Sequence, residues 1–192
     1  ILGIMQPYWF PYVGYFQLVH AVDKFVVYDD VAFINKGWIN RNKVLVSNSE
    51  KLVTVPLERA SQNKRICDIN VLSDDKWQRR LISTLRHAYA KAPFYTPVIE
   101  VVEQSFAHDN LSISSYALIS IVEVFNYLQI KTPEIVHSSI YKNDVLRGQD
   151  RIIDICRQEK CATYINLIGG AELYDQNLYT HAGVQLRFLQ TE

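Results

Sequence analysis

Hydrophobic and polar positions change period several times along the chain. An unbroken apolar run over residues 1–5 predicts a buried first strand. Pro7 and Pro11 then bracket Tyr8, Trp9 and Phe10, a stiff aromatic loop. Pro11 has the fixed φ and missing N–H that suit the opening of a helix through Tyr12, Gly14, Phe16 and Val19. Residues 24–30 are β-branched and aromatic and end in two acids, which predicts a second strand. Gly37 interrupts the next stretch. Beyond it Trp38, Asn40 and Asn42 alternate with Ile39, Arg41 and Lys43 as an extended segment would. Residues 52–57 and 67–72 predict further short strands.

The period then becomes helical. Trp77, Leu81, Leu85, Ala88 and Ala92 recur on one face after Ser73 and Asp74, and Pro93 stops the run. Thr96 with Pro97 is expected to cap a second helix reaching about residue 106, and the apolar stretch 111–129 predicts a third. Strand and helix alternate again afterwards: strands at 134–140, 163–166 and 184–189, with a helix at 149–158. This order predicts an α/β fold: a Rossmann-like, mostly parallel sheet with helices on both faces and a three-helix insertion at about 74–130. The length of 192 residues and 48% hydrophobic content predict a single domain spanning 1–192, with two small domains as the alternative.

Charge narrows the partners. Lys plus Arg and Asp plus Glu number 20 each, so no overall field recruits nucleic acid or an anionic membrane, and any such binding would have to come from a local patch. The cations Lys76, Arg79, Arg80, Arg86, Lys91, with His87, surround one helix, read either as a solvated face or as a dock for an acidic partner. Polar residues interrupt 111–129, so no transmembrane segment is expected. Cys67, Cys156 and Cys161 lack C-x-x-C spacing and fit free thiols in a cytoplasmic protein. His20, His87, His108, His137 and His181 form no metal-binding pattern, and no metal site is expected.

In a parallel sheet, four strand ends would meet at one edge: Met5-Gln6, Tyr28-Asp29-Asp30, His137-Ser138-Ser139 and Asn166 through Gly170. Gln6, Tyr8, Trp9, Tyr12, Gly14 and Tyr15 would touch a ligand from the first loop and helix, unless the aromatics are core. Asp29 and Asp30 are the candidates for charge-dependent catalysis. Neighbours in a strand diverge, so one faces the crevice, and Asp30 is favoured as proton acceptor or metal-phosphate ligand. The alternative is a strand-end turn in which both bond the backbone. Arg41 offers a planar donor fork for phosphate or carboxylate between the amides of Asn40 and Asn42, with Trp38 placed to stack on a sugar or base. An ordinary hairpin is the competing reading of that segment. Ser138, Asn166, Gly169 and Gly170 complete the binding set. His137 beside Ser138 does not make a hydrolase triad, because adjacent strand residues diverge. Mg²⁺ with a nucleotide is the cofactor such a site would admit.

The segments from Gly3 to Phe16, Tyr28 to Val31, Gly37 to Asn42, Tyr164 to Asn166 and Ile168 to Gly170, with Leu173-Tyr174, resemble the WbqC-like family along essentially the whole chain. Members are generally longer at the C-terminus, so a final segment is expected beyond Glu192. The resemblance implies a role in O-antigen and other surface-polysaccharide biosynthesis, with glycine transfer to an amino sugar as the suggested activity and a small-molecule or lipid-linked sugar as substrate. Tyr12-Val13-Gly14-Tyr15 also resembles the H-x-G-H of nucleotidyltransferases, with tyrosine at both histidine positions. A phenol does not become a cation at neutral pH, so adenylyl transfer by that route is not supported. Three readings stand: a transferase, a non-catalytic nucleotide- or sugar-binding protein, and a nucleotidyltransferase with altered chemistry.

Overall fold

The computed structural model describes residues 1–107 and 111–191. Its backbone divides into two compact units. One comprises Ile1–Gln6, Tyr12–Asp30 and the chain from Lys131 on; the other comprises Pro7–Pro11 and Val31–Ile130.

The first unit holds five strands, β1 (Leu2–Met5), β2 (Lys24–Val27), β5 (Glu134–His137), β6 (Thr163–Leu167) and β7 (Gln185–Leu189). They lie in the order β5-β2-β1-β6-β7, and every pairing is parallel. Counting only these strands in chain order gives 3-2-1-4-5, the Rossmann-like arrangement, whose switch point falls between β1 and β6. Helices α1 (Val13–His20) and α6 (Gln176–His181) connect neighbours in opposite directions, so right-handed crossovers put them on opposite faces. The pleat serves both layers. Leu2, Ile4, Val26, Tyr164 and Leu186 pack with Ile152, Ile155 and Cys156 of α5 (Gly148–Gln158) and Tyr179 of α6. Phe25 points the other way and meets Tyr15 of α1 edge to face at 5.7 Å. At the opposite, N-terminal end of the strands Lys24 Nζ bridges Glu134 at 3.1 Å and Glu159 at 2.7 Å, and Tyr141 donates to Glu159.

The second unit contains a hairpin, β3 (Arg41–Val46) and β4 (Ser49–Thr54), and three successive helices, α2 (Lys76–Tyr89), α3 (Tyr95–Ser105) and α4 (Ile113–Leu128). Ser47 and Asn48 make the two-residue turn with φ of 49° and 60°, the left-handed pair that matches strand twist. Ser112 caps α4, its hydroxyl accepting from the Ser115 N–H at 3.2 Å. Trp9, Phe33, Ile39, Val55, Ile66, Ile69, Leu81, Ile113 and Tyr116 form this unit's core.

Several local expectations change. Pro11 stands two residues before α1, whose N-cap is Tyr12. Residues 67–72 are not a strand: Ile66–Asp68 is a single 3₁₀ turn, followed by isolated bridges at Asn70 and Val71. Too few consecutive residues there find partners to propagate a ladder. The extended segment begins at Arg41, not Trp38. Thr96 lies inside the first turn of α3, whose N-cap is Phe94 in the left-handed conformation. β2 ends at Val27 and β5 at His137, so Asp29, Asp30 and Ser138 lie beyond the strands.

Candidate functional site

Parallel register brings the C-terminal ends of β2 and β5 side by side, with Val27 opposite His137. Two consecutive acids after β2 thereby meet a His–Ser pair 108 residues later. The strand-alternation argument for a single inward acid does not hold, because both lie past the last ladder residue. Asp29 and Asp30 are both buried, at 2% and 8% exposure.

Asp29 Oδ2 lies 2.7 Å from His137 Nδ1. An ionised carboxylate only accepts, so Nδ1 carries the proton and Nε2 is the ring's basic nitrogen. The Asp29 carboxylate is 3% exposed while the imidazole is 42% exposed, a buried acid under a half-open base. The hydrogen bond to Asp29 raises the His137 pKa above its ordinary value; burial opposes this and the Asp29 charge reinforces it.

Asp30 is engaged differently. It accepts from the Ser138 hydroxyl and from Arg151 Nη2 at 2.6 Å. Burial pushes its carboxyl up, but the hydrogen bonds from Arg151 and Ser138 and the Arg151 charge outweigh it and leave the pKa lowered. Arg151, on α5, is 1% exposed; its Nε donates to Asn143 Oδ1 at 2.9 Å and its guanidinium lies 4.9 Å from the Tyr28 ring centre. Asn143 in turn donates to Asp154 at 2.7 Å. Sequence reasoning set His137 at the converging strand ends but gave it no role there, and it missed Arg151 and Asn143. An arginine amid the apolar positions Ile152, Ile153 and Ile155 of a helix was the available signal, since a core-facing cation requires a buried acid.

Across the switch point, Asn166 Nδ2 donates to the hydroxyls of Tyr164 and Tyr174 at 2.9 and 2.6 Å. Gly169 has open space where a Cβ would stand. Tyr12 is exposed, whereas Tyr15 is fully buried and donates to the Gln6 carbonyl oxygen at 2.9 Å, so its phenol is spent on the fold. Gly14 is a packing glycine: a Cβ there would come within 2.4 Å of Thr191 and 2.7 Å of the Tyr12 ring.

The remaining candidates belong to the second unit. Trp9 is core, 3% exposed and edge to face with Trp77 at 6.5 Å; Tyr8 packs partly against the same cluster. Asn40 donates to the Val55 carbonyl at 2.8 Å, and Asn42 donates to the carbonyl oxygen of Phe10. Both amides therefore hold backbone. Arg41 makes no ion pair or hydrogen bond among the described residues, and Trp38 is half exposed with Lys43 Nζ 6.0 Å from its ring centre. Among the described residues no group of three His, Cys, Asp or Glu side chains could hold a metal ion; His108 lies outside them. No helix among them is long and apolar enough to cross a membrane.

Fold and strand-end geometry define a Rossmann-like α/β protein with an acid–imidazole pair at the edge where such sheets receive ligands. The chain belongs to the WbqC-like protein family, whose family model it matches over residues 6–192. It is similar to "Uncharacterized protein Rv1507c" of Mycobacterium tuberculosis (strain ATCC 25618 / H37Rv), 22% identical over 189 residues, covering 96% of this chain and 80% of the relative. No solved structure matches it.

Proposed function

We propose that this WbqC-family chain is a cytoplasmic transferase of surface-polysaccharide biosynthesis, moving an aminoacyl group, glycine most concretely, onto the amine of a nucleotide- or lipid-linked amino sugar. The observation that carries this reading is the Asp29–His137 pair at the strand-end edge. An acceptor amine attacking an activated acyl carbon must lose a proton as the C–N bond forms and the bond to the donor's leaving oxygen breaks. His137 Nε2 takes that proton and returns it to the leaving oxygen; Asp29 stabilises the imidazolium between the two transfers. Asp30 acts through Ser138, fixing the backbone next to His137, with Arg151 holding the carboxylate in turn. Asn166, Gly169 and Gly170 border the strand ends at the switch point. Mg²⁺ with a nucleotide donor is compatible with this chemistry.

The test is mass-spectrometric detection of one glycyl addition to a nucleotide-linked amino sugar in the presence of an aminoacyl-adenylate. His137→Asn should retain the fold and lose turnover by 10²–10⁴-fold, the range of general-base catalysis. Full activity in that variant would remove His137 from the mechanism.

A further inference from the structure

From Lys76 to Ile99 the chain carries Lys76, Arg79, Arg80, Arg86, Lys91 and His87 and no acidic residue, although the whole chain is neutral. Helix α2 presents all of these cations but Lys91, which follows its C-cap: it buries only Leu81 fully, with Trp77 and Leu85 packed partly against the core. All five Lys and Arg side chains are exposed. Arg79 pairs with Asp75 on the open surface, and the other four make no ion pair among the described residues. Directly after this helix, Phe94 stands 73% exposed, held at φ 61° in the turn into α3, with Val98 46% exposed one helical turn on. An amphipathic cationic helix ending in a projecting phenyl ring has two complements at once, a layer of negative charge and an apolar layer beneath it.

We propose that α2 and the Phe94 turn form a peripheral membrane-docking surface that seats on anionic lipid headgroups. The arginines and lysines lie against phosphate while Phe94 enters the acyl boundary; the apolar face of α2 stays on the protein core, so charge attraction supplies most of the binding. An acidic protein or a nucleic acid would answer the same charge, and vesicle binding separates them from lipid. Seating there would bring the protein to a lipid-linked acceptor, yet it does not depend on the transfer chemistry: vesicle binding is read without substrate.

The experiment is flotation with vesicles of equal phosphatidylglycerol and phosphatidylcholine against vesicles of phosphatidylcholine alone. The protein should float only with the anionic vesicles and be released by about 0.5 M salt, where screening falls to a few ångströms. Each removed cation should weaken binding about fivefold, so Arg79→Gln, Arg80→Gln and Arg86→Gln together should cost about 100-fold. Phe94→Asn keeps a residue that tolerates the left-handed conformation and should cost about tenfold. The salt series on the unaltered protein decides the matter even if the triple variant folds poorly. No flotation, equal flotation with neutral vesicles, or an unaltered triple variant would overturn the proposal. So would binding of polyglutamate or single-stranded RNA by α2 without vesicle binding, which would assign the surface to that partner.

Discussion

Replacing Arg151 by methionine tests the most heavily buried charge in the protein. The guanidinium and the Asp30 carboxylate are 1% and 4% exposed, and Nη2 and Oδ2 stand 2.6 Å apart. Methionine fills much of the volume but leaves Asp30 with only the Ser138 hydroxyl and its own backbone N–H. Two routes to the magnitude agree. Removing one partner of a buried pair costs about 3–5 kcal/mol. Alternatively, the stranded acid protonates, and holding a proton at pH 7 on a group that binds it near 3.9 in the unfolded chain costs about 1.36 kcal/mol per unit, or roughly 4 kcal/mol. The second route adds a signature. At pH 5 the same protonation costs only about 1.5 kcal/mol, so the penalty of Arg151→Met shrinks as pH falls. In the unaltered protein the sign agrees: Asp30's pKa is lowered, so its contribution is present above the unfolded value of about 3.9 and lost as pH falls through the folded one. Urea unfolding at pH 7 and pH 5 measures both, with Arg151→Met/Asp30→Asn expected to recover most of the loss at pH 7. A cost below about 1 kcal/mol at pH 7, or one equal at the two pH values, refutes the reasoning.

Three further outcomes are expected. The His137 imidazole should titrate above its ordinary value of about 6.5 by NMR, and Asp29→Asn should bring it back down; because the folded pKa is raised, the stability His137 adds is full below about 6.5 and fades as pH rises through the folded value. Asn40→Ala leaves the Val55 carbonyl without its side-chain donor and should cost about 1–3 kcal/mol in urea; no loss would show that another donor satisfies that carbonyl. Phe94→Gly removes a left-handed aromatic residue and should raise stability by about 1 kcal/mol, the opposite sign from most aromatic deletions; a loss would show that the ring packs.

The local rules of the chain were legible in the sequence. Residues 1–5 made a strand because nothing polar interrupts them, α2 followed its apolar spacing and ended before Pro93, and alternating strands and helices gave a parallel sheet. Each depends on neighbours within a few residues, which a single sequence displays. The hairpin turn at Ser47 and Asn48 escaped because neither residue is glycine, yet both adopt positive φ. The meeting of the Tyr28-Asp30 and His137-Ser139 strand ends was legible from the alternation of strands and helices, but the pairing of Asp29 with His137 across 108 positions and of Asp30 with Arg151 across 121 was not, since no periodicity carries information over such distances. Only the order β5-β2-β1-β6-β7 makes those strand ends neighbours. The sequence by itself determined which residues could be strand, helix and acid; tertiary structure decided which acid holds an imidazole and which is bound to an arginine, because that choice is made by burial and register.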